Sequence, residues 1–163
     1  SAAAAMATPP PGPLPGPPST ILQSAASCAE YRDLSVGAGV GTQTAIATSY
    51  RCGALNVDST GASPAGTLIT PTGMALEFAF GDAPDPTMVE ARLYGGGLTA
   101  TFGRWHDELS TDAAEVHRFE QATADGLGAL PSLAGGPYSL VVRAEWAPDA
   151  HSFFPLNLMV LAP

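Results

Sequence analysis

Pro137-Tyr138-Ser139-Leu140-Val141-Val142-Arg143-Ala144-Glu145-Trp146, a turn at Ala147-Pro148-Asp149-Ala150, and His151-Ser152-Phe153-Phe154-Pro155-Leu156-Asn157-Leu158-Met159-Val160-Leu161 together decide the fold. Both arms are rich in Val, Leu and aromatic residues, and the Pro-Asp pair between them favours a reversal, so the stretch reads as an antiparallel hairpin. In the first arm Tyr138, Leu140, Val142, Ala144 and Trp146 alternate, which puts Trp146 on the core side. Tyr138 is the first aromatic residue after the turn Leu133-Ala134-Gly135-Gly136. A Leu, a Gly-rich turn and a Tyr opening a Val/Leu strand is the pattern of a tyrosine corner in a Greek-key sandwich.

Upstream of the hairpin the same period recurs. Met74, Leu76, Phe78 and Phe80 share one face by strict alternation, the mark of a half-buried strand. Thr87 to Tyr94 alternates too, with Val89, Ala91 and Leu93 on one side and Met88, Glu90, Arg92 and Tyr94 on the other. Leu98 to Trp105 makes a further strand, Thr67 to Thr70 a short one, and Thr42 to Val57 one long strand or a bent pair. Turn signals at residues 60–66, 81–86 and 95–97 separate them, and nothing alternates strand with helix in the βαβ manner. Val36-Gly37-Ala38-Gly39-Val40-Gly41 is a turn rather than a phosphate loop, because a Thr-rich strand follows it where a helix is required. Residues 106–125 are open between a helix begun at Thr111 and a charged edge strand over Glu115 to Glu120; the strand is preferred because a sandwich needs a partner there.

The chain has 163 residues and a formal net charge of −9, from fifteen acids against six basic residues, all of them arginine. That balance disfavours nucleic acid, whose phosphates need a basic face, and adsorption to anionic membranes. No apolar run reaches the ~18 residues of a membrane span, so no membrane insertion of the folded domain is expected. Residues 1–20 are Ala- and Pro-rich, cannot form helix or ladder, and read as an extended tether; residues 21–163 read as a single β-sandwich domain. Cys28 and Cys52 are the only cysteines, and an even count in a β-rich, Pro/Gly-rich chain points to one disulfide in an oxidising compartment. The expected localisation is therefore extracytoplasmic: secreted, periplasmic, or anchored through a removed N-terminal segment.

Candidate chemistry is sparse. Trp105, His106 and Asp107, followed by Glu108, Asp112, Glu115 and His117, form the densest polar stretch. An aromatic ring flanked by Asp and His is how many sandwiches grip a sugar, and His with carboxylates can ligate a transition metal. Trp105, His106, Asp107 and His117 are thus the candidate ligand-binding residues, while a solvated loop or charged edge explains the same residues without a ligand. Asp82 and Asp85 sit in a turn where a sandwich can hold Ca²⁺, although Asp-Pro pairs also initiate ordinary turns. No nucleophile elbow and no Cys-His pairing is present, so no catalytic residue, no enzyme activity and no cofactor is expected.

Leu133 to Ala144 resembles the L-x-P-G-x-x-Y-x-V-x-V-x-A stretch of fibronectin type III-like domains, with Ala and Gly in place of Pro and Gly and one residue fewer between Leu and Tyr. The hairpin is also similar to the C-terminal end of bacterial secreted or lipid-anchored immunoglobulin/fibronectin III-like sandwich proteins. The resemblance implies architecture and location, and no activity. The expected fold is an all-β, immunoglobulin-like Greek-key β-sandwich of about seven to nine strands. The expected function is a non-enzymatic interaction module of a bacterial cell surface or periplasm, whose partner is another protein or a cell-surface glycan. The alternative is a module that binds a small ligand, a carbohydrate or a metal ion.

Overall fold

A computed structural model describes residues 28–39, 41–47, 49–58, 66–95 and 115–162. The expected tether, the turn over 60–65, and the strand over 98–105 with Trp105, His106 and Asp107 lie outside these residues. Among the described residues a 3-10 turn, Ala29–Arg32, precedes eleven strands. These are β1 (Asp33–Gly37), β2 (Thr42–Ile46), β3 (Ser49–Cys52), β4 (Leu55–Asp58), β5 (Thr67–Pro71), β6 (Ala75–Ala79), β7 (Met88–Gly95), β8 (Glu115–Phe119), β9 (Gly126–Ala129), β10 (Gly136–Ala147) and β11 (Ala150–Leu161). The fold is all-β, as expected.

The strands form two sheets. The smaller runs in the order β9-β6-β1-β2, and the larger in the order β4-β3-β11-β10-β7-β8 with β5 beside β11. The opening hairpin is the spine of the larger sheet: β10 and β11 pair from Gly136↔Val160 to Ala147↔Ala150. One edge of β11 serves two neighbours. Ala150–Phe153 pairs antiparallel with β3, and Asn157–Leu161 pairs parallel with β5.

The eleven strands among the described residues exceed the expected seven to nine because the chain changes sheet often. The Thr42–Val57 run holds three strands, with β2 in the smaller sheet and β3 and β4 in the larger. Ala47, buried between β2 and β3, donates its N–H to the Arg32 carbonyl at 2.8 Å, which fixes the crossing. β9 is a second element that periodicity missed. Four residues, two of them glycine, carry too little alternation to read as a strand.

The core fills the space between the sheets. Leu34, Val36, Ala45, Leu76, Phe78 and Leu127 face Leu93, Leu140, Val142, Ala144, Phe154, Leu156 and Leu158. Each large side chain taken out of water there contributes roughly 1.5–3 kcal/mol before entropy is counted. Trp146 is the aromatic hub. Its ring meets Tyr31 edge-on at 4.7 Å and Phe80 at 5.8 Å, and its Nε1 donates to the Pro84 carbonyl at 2.7 Å. The polar end of the indole is thereby satisfied inside the core. Tyr138 Oη donates to the Ala134 carbonyl at 2.8 Å, the backward bond that the corner pattern requires.

Cys28 and Cys52 are disulfide-bonded with Cα atoms 5.9 Å apart, and both are buried. The bond ties the start of the described chain to the end of β3. It suggests an oxidising, extracytoplasmic environment. Among the described residues no helix is long and apolar enough to cross a membrane.

Candidate functional site

The side of the sandwich where the terminal strands β8 and β9 lie near one another carries the candidate site. Among the described residues β8 ends the larger sheet beside β7, and β9 ends the smaller beside β6, with Gly126 also bridged to Thr123. Between them lies a cleft of about 320 Å³ lined by His117, Arg118, Phe119, Glu120, Gln121, Gly128 and Ala129. That volume is at the lower end of the range found for ligand pockets.

Strand register explains who faces the cleft. His117 lies opposite Leu93 and Phe119 opposite Ala91, both core-facing positions, so His117 and Phe119 point between the sheets. Their rings meet edge-on at 4.6 Å. Phe119 is buried, and His117, half-buried, stands at the rim. The ladder slips at Val116, between Leu93 and Tyr94, which brings Glu115 and Arg118 onto the same side of β8. There Arg118 makes two bonds to the Glu115 carboxylate, at 3.0 and 3.2 Å. The hydrogen bond and charge of Glu115 raise the Arg118 pKa further.

The other wall is nearly bare. Gly128 is exposed, and a methyl group built on its Cα meets nothing within 4 Å. Gly126, at φ +140°, lies against the Leu76 carbonyl and the Glu77 Cα, so β9 hugs β6 more closely than a side chain allows. The four strands of the smaller sheet contain no basic residue, whereas Asp33 and Glu77 lie on them and Asp125 adjoins β9.

A second polar group occupies the outer face of the larger sheet. His151 lies opposite Arg51 of β3 and Glu145 of β10. Arg143 bridges Glu145 at 3.1 Å and Glu90 at 3.4 Å, and lies over the Phe153 ring at 5.8 Å. Burial lowers the His151 pKa, Arg143 and Arg51 add to that, and Glu145 opposes it. Its Nδ1 is buried without a hydrogen-bond partner. Tyr94, Val141 and Phe153 form a small buried apolar cluster on the same face. Four of the chain's six arginines, Arg51, Arg92, Arg118 and Arg143, lie on this face.

Of the sequence-derived site residues, Cys28 and Cys52 meet, and His117 lines the cleft. Trp105, His106 and Asp107 lie outside the described residues. Gly128 and Ala129 were missed, since the cleft is built from two strands in different sheets. The one available signal was Gly126-x-Gly128 between two polar turns, a spacing that marks close backbone approach. Among the described residues no group of three His, Cys, Asp or Glu side chains is placed to hold a metal ion. No protein family and no curated protein matches the chain.

Proposed function

We propose that this chain is a non-enzymatic, immunoglobulin-like interaction module that works outside the cytoplasm, at a bacterial cell surface or in a periplasm, and engages another protein at the β8–β9 side of its sandwich. The cleft between β8 and β9 carries the reading: it combines an aromatic floor, a half-buried imidazole and the terminal strands of the two described sheets. Tyr138 and its bond to Ala134 support the kinship with immunoglobulin-like sandwiches. The disulfide supports the compartment. Display on the Ala/Pro-rich segment 1–20, as a secreted or lipid-anchored protein, completes the proposal.

One observation favours a second reading, a small-ligand module for carbohydrate. The cleft offers the hydrogen-bonding side chains His117, Glu120 and Gln121 next to an aromatic ring. Photo-crosslinking separates the two. A photoreactive residue is placed in turn at Val116, Ile46, Met88 and Leu161, all exposed apolar positions, and the chain is incubated with cell-envelope extract. A discrete protein adduct formed from Val116 and not from the other positions is expected. Absence of any protein adduct, with thermal stabilisation by a soluble glycan, overturns the protein-partner reading in favour of the ligand module.

A further inference from the structure

We infer that two copies of this chain pair through the end of the sandwich built from β5, the first half of β10 and the second half of β11, with Ile69, Pro137, Met159 and Leu161 at the centre of the contact. Residues 66–76, 126–142 and 152–162 contain no Asp, Glu, Lys, Arg or His. The fold gathers them. β5 lies beside β11 and β11 beside β10, so Ile69, Met159 and Pro137 stand in one row across three strands. Leu161, opposite Pro71, lies in the next row on the same face. Leu68, Leu158 and Val160, which alternate with them, are buried in the core, and that turns Ile69, Met159 and Leu161 outward. Ile69 is 53% exposed, Leu161 48% and Met159 36%, and Pro137 is exposed as well. A surface that faces only water carries roughly a quarter to a third charged residues, so an apolar row set in uncharged chain marks a contact. The loops round it are pinned before anything docks. Thr72 Oγ1 donates to the Pro131 carbonyl at 2.8 Å and accepts the Leu133 N–H at 3.1 Å, and the Leu130 N–H bonds the Met74 carbonyl at 2.9 Å.

Charge decides what covers this end. A charged group buried against these stretches finds no opposite charge in them, so its desolvation goes uncompensated. The occupant must itself be apolar and uncharged where it touches, and the chain presents such a surface of its own. In a two-fold pair each row meets its equal in size and in absence of charge. The same arrangement holds apart the net charge of −9 that each copy carries. Glu145 and Asp149 lie at the far end of the hairpin, and Asp82 and Asp85 flank the turn whose Pro84 carbonyl is bonded by Trp146. β10 alone has twelve residues, a length of ~40 Å, several times the ~8 Å over which physiological salt screens a charge. None of the four contact residues lines the cleft between β8 and β9.

A contact centred on four side chains per copy falls below the ~800 Å² per partner of a standard interface, so a dissociation constant of about 10–100 μM is expected. Sedimentation velocity of the full, oxidised chain, followed from micromolar to millimolar concentration at low and high salt, tests it. The chain is expected to pass from monomer to dimer, with no weakening as salt is raised. Ile69→Glu and Ile69→Arg place opposite charges at one exposed position. Both are expected to keep the thermal unfolding midpoint of the monomer, and both to weaken pairing at least about tenfold, since either sign leaves a charge without a partner. Ile46→Glu, as exposed as Ile69 but opposite Asp33 on β1, is expected to leave pairing unchanged. A chain that stays monomeric to millimolar concentration overturns the inference, as does a dimer that survives both Ile69 substitutions or is weakened equally by Ile46→Glu. Flotation of a monomer with neutral phosphatidylcholine vesicles overturns it too, and gives this end to a lipid surface. Run at submicromolar chain, where the pair is dissociated, the crosslinking with envelope extract reports on the cleft alone, so either reading can fail without the other.

Discussion

Removing the disulfide by Cys28→Ala together with Cys52→Ala tests the link between architecture and compartment. The bond joins residues 24 apart in sequence. In the chain-entropy description, a loop of that length withholds about 3.5 kcal/mol of disorder from the unfolded state. Both cysteines are buried, at 3% and 2% exposure, so the alanines also leave a small void where the sulfurs packed, worth about another 1 kcal/mol. The expected loss of about 4–5 kcal/mol is a large share of a typical domain's stability. It lowers the melting temperature by roughly 10–20 °C for a domain of this size. Urea unfolding is the assay of choice, because it reports the slope as well as the midpoint. The unfolded chain without the crosslink is more expanded, so the slope m is expected to rise while the midpoint falls. An unchanged midpoint, or two titratable thiols in the native oxidised protein, refutes the reasoning.

Tyr138→Phe deletes the bond to the Ala134 carbonyl and nothing else, and is expected to cost about 1 kcal/mol in urea unfolding. Gly126→Ala forces a methyl group into the Leu76 carbonyl at a backbone angle alanine resists; a loss of at least about 2 kcal/mol is expected, read as a fall in melting temperature. Ser152→Ala strips the buried Tyr31 carbonyl of the donor that lies 2.7 Å away, and about 1–3 kcal/mol should follow in the same assay. The lowered pKa of His151 gives a pH dependence of definite sign. Below its ordinary value of 6.5 the unfolded chain takes up a proton that the folded chain resists, so the His151 contribution is intact above that pH and is lost as pH falls towards the folded pKa. His151→Asn is expected to flatten this segment of the stability-versus-pH curve, measured by urea midpoints between neutral and mildly acidic pH.

Side-chain alternation made most of the fold legible. The Tyr138–Trp146 arm, the Met74–Phe80 face and the Val89–Leu93 face each bury the residues that the period assigns to the core, with Met74 and Tyr138 only half-buried at the strand ends. Sheet membership was not legible. Thr42–Val57 alternates smoothly through a change of sheet, because alternation records which side of a strand is buried and not which sheet buries it. Likewise β5 is a good strand in sequence, yet its parallel pairing with β11 depends on a crossing that local pattern does not encode. At the site, His117 was singled out for its chemistry, and its neighbours Gly128 and Ala129 carry no chemistry to notice. The cleft exists only because two sheets end side by side. His151 was passed over for the same reason, since Arg51 reaches it from a strand a hundred residues earlier in the chain.

The shared edge of β11 also sets the order in which the molecule can assemble. β3, β5 and β10 all dock on this strand, so the larger sheet has no centre until Ala150–Leu161 has arrived. Before that, β3 with β4 on one side, β5, and β7 with β8 on the other are fragments with raw edges, and the long loops that join them must close at full entropic cost. A chain in which Ala150–Leu161 has not yet arrived therefore leaves the larger sheet open. The same dependence makes β11 the strand whose loss leaves nothing partly useful behind.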